Sequence, residues 1–135
     1  MSQERLANLR RGHEAFNRGT WAAVMDDLAT PDVEWGATGA FPGVDAVYRG
    51  REGTQAWVDA IRSVWEEFEV TLDEVLYDEG DLLVVAELLR GRGIGSGVEV
   101  EMRVYSAYWF EGEKLRKRDA FSERSAALEA AGVRE

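Results

Sequence analysis

Three side chains in this sequence are placed where chemistry would need them. His13 is the only imidazole, and it recurs with Leu6, Leu9 and Phe16 at helical spacings of three and four. That spacing aims the ring inward, where a neutral imidazole can take a proton as general base. It equally suits a histidine at the edge of a core with a hydrogen-bond partner of its own. Glu87 interrupts the apolar run LLVVAELLRG. Burial there would raise its pKa and let it act as an acid or base. The competing reading is a cross-strand charge pair with Arg103 on the neighbouring strand. Arg118 stands in the run Arg116-Lys117-Arg118-Asp119, which holds most of the local positive charge. A guanidinium fixed in a cavity can bind a carboxylate or an enolate oxygen. Arg116 and Lys117 read better as solvated charges on an edge strand, where they discourage edge-to-edge pairing.

The element that would carry Arg118 is a long hairpin from Val98 to Ser122. On its first arm Val100, Met102, Val104, Ser106, Tyr108 and Phe110 alternate with Glu99, Glu101, Arg103, Tyr105, Ala107 and Trp109, the period of a strand buried on one side. Gly112, between Glu111 and Glu113, supplies the reversal. If Ser106 and Tyr108 face a cavity, the same alternation on the returning arm sends Arg116, Arg118, Ala120 and Ser122 inward. Tyr105, Trp109 and Phe121 then lie on the opposite face, exposed in a monomer and suited to association.

The remaining chain must cover this sheet. Ser2 can cap a first helix closed by Gly19, and Thr20 a second from Trp21 to Leu28. Val33–Trp35 is a brief strand, followed by the glycine-rich stretch GATGAFPGVDAVYRG. Arg51 to Trp65 forms a third helix with Ala56, Trp57, Ala60, Ile61 and Val64 on one stripe. Phe68 to Tyr77 and Leu82 to Arg90 make a second hairpin about Asp78–Asp81, and Glu123 to Gly132 a terminal helix. Helices first and an antiparallel-rich sheet after is an α+β layout with the helices gathered on one face.

Composition narrows the function classes. The chain has 135 residues, enough for one domain, expected over 1–135, and too few for two. A net charge of −10 repels phosphate backbones and anionic lipid, so neither nucleic acid nor a membrane is the expected partner. No apolar run is long enough for a transmembrane helix, and MSQERLANLRR lacks the apolar core of a secretory signal. A cytoplasmic address is the resulting expectation. With no cysteine and one histidine, neither disulfides nor a protein-built metal site is expected. Five tryptophans are enough for two or three to wall an apolar pocket.

The segments AFNRGTW at 15–21, LATPDVEW at 28–35, YRGREGTQAWV at 48–58 and WFEGEKLRKRDAFSERSAALEAAG at 109–132 resemble, in order and spacing, the SnoaL-like branch of the nuclear transport factor 2-like superfamily. The resemblance spans nearly the whole chain. It implies a cone-shaped α+β fold with a curved sheet, three N-terminal helices covering a pocket, and a homodimer through the convex sheet face. It does not imply one chemistry, because a fold hosts many functions. Ketosteroid isomerases, which look similar, use a tyrosine and two aspartates at positions matched here by Gly12, Trp35 and Ser106, so their mechanism is not expected. Limonene-type epoxide hydrolases look similar at RDAF. One register gives Asp119 the place of their catalytic aspartate; the other, which needs no gap, puts Ala120 there.

The candidates are therefore His13, Glu87 and Asp119 for catalysis. Trp35, Phe41, Tyr48 and Trp57 are expected near a pocket mouth, and Met102, Val104, Ser106, Tyr108 and Arg118 on its floor. Together they suggest a small-molecule-binding protein that takes a hydrophobic, cyclic ligand and can transfer a proton without a cofactor. The rival is a non-catalytic module that dimerises through its sheet and keeps a vestigial pocket.

Overall fold

The computed structural model describes residues 2–36 and 47–133. Phe41 lies outside them. Two helices open the chain, α1 (Ser2–Arg18) and α2 (Trp21–Leu28), followed by strands β1 (Ala29–Gly36) and β2 (Val47–Arg49) and by helix α3 (Gly50–Val64). Four long strands come next: β3 (Trp65–Glu79), β4 (Leu82–Gly93), β5 (Glu99–Glu111) and β6 (Lys114–Phe121). The short helix α4 (Arg124–Ala130) ends the described chain. The strands form one open mixed sheet in the order β2-β1-β6-β5-β4-β3. All neighbours are antiparallel except β1 and β6, which run parallel.

The two long hairpins close through two-residue turns whose glycines, Gly80 and Gly112, take φ of 60° and 63°. That backbone region is open to glycine at little cost. Register shifts within β3–β4 and at Trp109/Phe110 in β5–β6 bend the strands, as bulges do. The bend lets helices lie across one face. Leu9, Phe16, Trp21, Met25, Trp57 and Ile61 from α1–α3 pack there on Val85, Leu89, Tyr108 and Phe110 of the sheet.

Helix α1 is pinned at both ends. Near its start, Arg5 donates to the Gly80 carbonyl, to the Gly112 carbonyl from Nε (3.1 Å) and Nη2 (2.8 Å), and to Asp81 Oδ1 (3.0 Å). Both hairpin turns are thereby tied to one side chain. Near its end, Asn17 Nδ2 donates to the Val70 carbonyl (2.9 Å) and Asn17 Oδ1 accepts from the Val70 amide (2.8 Å). Because β3 is an edge strand, this side chain completes a ladder rung that would otherwise be open.

The other face of the sheet is partly covered, contrary to the sequence reading. Ala127 and Leu128 of α4 pack with Val84 and Ala107, and Tyr105, Trp109 and Phe121 are half-buried around them. Two further expectations are corrected. Strand β6 lies between β1 and β5 and is not an edge, so Arg116 and Lys117 do not guard one. The bulge at Trp109/Phe110 pairs Phe110 with Leu115, which turns Leu115 inward and leaves Arg116 exposed. Thr20 occupies the N-cap of α2 without a capping bond; its Oγ1 reaches the Ala15 carbonyl instead, at 3.5 Å.

Candidate active site

Between the inner sheet face and α1–α3 lies a small cavity, about 40 Å³ of free space that opens to solvent at its mouth. Its walls are mostly apolar. The indoles of Trp21, Trp35 and Trp57 line it and touch one another with ring centroids 5.3–6.2 Å apart. Such contacts add about 0.5–1.5 kcal/mol each to the burial of the rings.

Polar groups converge at one side of this cavity. Glu87, on β4, is 1% exposed and has three partners. Ser106 Oγ donates to its Oε1 at 2.5 Å, Tyr108 OH donates to its Oε2 at 2.5 Å, and His13 Nε2 meets Oε2 at 2.6 Å. Arg118 Nη2 stands 4.0 Å from Oε1. The register explains the convergence. β5 lies antiparallel to β4 with Val104 opposite Glu87, so Ser106 and Tyr108 follow on the same inward face at steps of two. Residue 118 of β6 sits opposite Tyr108, which brings the guanidinium to the same place.

Burial by itself would raise the Glu87 pKa, as the sequence reading supposed. The hydrogen bond and charge of His13, the charge of Arg118 and the Ser106 hydroxyl outweigh it and lower the value from 4.5 to about 2. Glu87 is therefore a fixed carboxylate near neutral pH and not a proton donor, which corrects the expectation. The pairing with Arg103 is absent too, since Arg103 bonds Asp73 and Glu74, each at 2.9 Å. Burial and the Glu87 charge push the Tyr108 hydroxyl well above its usual pKa, so it stays a phenol that donates.

A carboxylate can only accept, so the proton between His13 and Glu87 belongs to Nε2. The other ring nitrogen, Nδ1, is buried and has no hydrogen-bond partner among the described residues, although His13 lines the cavity. The result is an imidazole held at one nitrogen and without a partner at the other, the pairing of a general base with an orienting carboxylate. Arg118 is 3% exposed. Its guanidinium carbon stacks 4.8 Å from the Trp35 ring centroid and 5.3 Å from that of Trp57, and Nη1 donates to the Gly36 carbonyl at 2.9 Å. It is a preorganised cation beside an apolar chamber.

A model of the SnoaL-like domain matches residues 9–118. The chain belongs to the SnoaL-like family. Solved structures agree on the fold of this SnoaL-like chain. An NTF2-like protein of unknown function from Burkholderia pseudomallei superposes with a TM-score of 0.75 at 19% identity, covering 93% of this chain and 95% of its own. A candidate SnoaL-like polyketide cyclase from a Jannaschia species gives 0.75 at 18%, over 98% and 94%. IdmH from Streptomyces antibioticus, a candidate polyketide cyclase, gives 0.74 at 20%, over 96% and 99%. No curated protein matches at a significant level.

The other residues singled out in sequence are dispersed. Asp119 pairs across from Ala107 on the outer face, where its Oδ1 accepts from the Ala120 amide at 3.0 Å; with Arg118 and Ala120 turned inward, period-two alternation excludes it from the cavity. Met102 lines a smaller recess with Trp65 and Phe68, and Val104 is sealed in the core. Ser106 reaches the site through Glu87 and not through the cavity wall. Tyr48 pairs with Trp35 across β1–β2 and is half-buried outside the lining. Phe16, Trp21 and Phe110 line the cavity without having been singled out. The helical stripe containing His13 and Phe16 was the available signal for the first of these.

Proposed function

We propose that this SnoaL-like protein binds a small, mostly apolar cyclic molecule and moves a proton on it without a cofactor. The supporting observation is the His13 ring, tied to a buried carboxylate at Nε2 and unpartnered at Nδ1 beside an aromatic chamber. In this reading Nδ1 takes a proton from carbon next to a carbonyl, and Glu87 steadies the imidazolium that results. Arg118 lies close enough to the same carboxylate to balance negative charge developing on the substrate oxygen. Returning the proton to a different atom completes an isomerisation; attack of the enolate carbon on a second carbonyl completes a cyclisation. The polyketide-cyclase assignments of the Jannaschia and Streptomyces proteins favour a substrate rich in such carbonyls.

The test is uptake of deuterium from solvent at the carbon acid of β-tetralone, a two-ring apolar ketone, by the wild-type protein and by His13→Ala. Faster uptake that depends on His13 supports the proposal. Uptake no faster than in buffer removes the catalytic part. A homodimer through the outer sheet face belongs to the same proposal, because Tyr105, Trp109 and Phe121 stay half-exposed beside α4. Sedimentation as a monomer at micromolar concentration removes that element.

A further inference from the structure

We propose that Gly12 is a specificity-determining residue, a notch in α1 that sets how large a ring system the cavity accepts; this rests on the reading of the cavity as a ligand site. Gly12 is buried in the interior of α1 and lines the cavity directly beside His13. Three observations separate it from a glycine kept for the fold. Its φ is not among the positive values that glycine serves in this chain. A Cβ placed on it would meet Leu28 Cδ1 at 3.7 Å and Trp21 Cζ3 at 4.0 Å, ordinary van der Waals distances, so close helix packing does not demand it. Glycine in a helix interior is less favourable than alanine, through the backbone freedom lost on folding. The fold therefore gains nothing from glycine at this position, while the cavity gains space.

That space is bounded by Leu28 and the Trp21 indole and belongs to the cavity that His13 also lines. A flat ring can slide over the bare helix backbone there and carry a carbon acid to His13. A side chain at residue 12 would occupy the same volume. Each enlargement at residue 12 accordingly lowers the permitted ring size, and a second fused ring is lost before a single ring.

The experiment measures binding of phenol, one ring, and β-naphthol, two fused rings, by calorimetry and by quenching of the cavity indoles. The proteins are the wild type, Gly12→Ala and Gly12→Leu, and the melting temperature of each is measured without ligand. Gly12→Ala is expected to melt about 2–4 °C higher, to keep phenol, and to bind β-naphthol at least about fivefold more weakly. Gly12→Leu is expected to lose β-naphthol. A lower melting temperature for Gly12→Ala overturns the inference, because the fold would then need the glycine. Equal β-naphthol affinity in wild type and Gly12→Ala also overturns it while leaving the ligand site standing. Failure of the wild type to bind either compound removes the ligand site and the notch together.

Discussion

His13 on α1 and Glu87 on β4 meet at 2.6 Å although 74 positions separate them in sequence. Neither residue's own element brings them together. The helix is held over the strand by Arg5 at one end and Asn17 at the other, and the carboxylate is held by hydroxyls from the next strand. Each of these supports has a measurable consequence.

The carboxylate should make the fold acid-sensitive. Glu87 titrates at about 2 in the folded protein against an ordinary 4.5. A group depressed by folding stabilises the native state fully above its unfolded pKa and loses that contribution as pH falls toward the folded one. Linkage puts the loss at about 3 kcal/mol between roughly pH 5 and pH 2. Chemical denaturation at pH 6 and pH 3 should show a larger fall for the wild type than for Glu87→Gln, which cannot ionise. Equal falls would mean that other carboxylates account for the acid sensitivity.

Asn17→Leu should loosen the helix over the site. It removes both bonds to Val70 and leaves a half-buried amide and carbonyl on the sheet edge unpaired, at a cost of about 1–3 kcal/mol. Hydrogen exchange should report the change as faster exchange of the Val70 amide and along α1. Unchanged protection of Val70 would show that the Asn17 side chain does not hold that edge.

Asp119→Asn should leave chemistry in the cavity untouched. The residue lies on the outer sheet face with its Oδ1 on the Ala120 amide, and the amide oxygen of asparagine can keep that bond. The expected change in stability is below about 1 kcal/mol, and proton transfer to β-tetralone should match the wild type. A loss of activity as large as that of His13→Ala would mean that the strand presents Asp119 to the substrate.

The alternation of the Val98–Ser122 hairpin, the helical stripes and the glycine turns sufficed to read an α+β fold, because local periods report which face of an element is buried. The oddity of Glu87 was also legible, as one charge in an apolar strand. Its partners were not, since they depend on the register between β4 and β5, and nothing within either strand states that Val104 falls opposite Glu87. The sign of its pKa shift was missed for the same reason: burial was visible and the surrounding donors were not. A single bulge at Trp109/Phe110 exchanged Arg116 for Leu115 at the cavity. The terminal helix was expected, but its seat on Val84 and Ala107 is a tertiary fact that composition does not carry. Asp119, by contrast, was excluded by the sequence itself, since adjacency to Arg118 in a strand puts the two on opposite faces.

The general-base role of His13 is tested by the rate of deuterium uptake by β-tetralone, followed by proton NMR, with wild type, His13→Ala and Glu87→Gln compared at one pH near neutrality. A positioned general base contributes about 10²–10⁴-fold. The wild type is expected to accelerate uptake, His13→Ala to lose at least about 10²-fold of the acceleration, and Glu87→Gln to retain binding while losing most of the rate. Wild-type and His13→Ala rates that coincide would contradict that role.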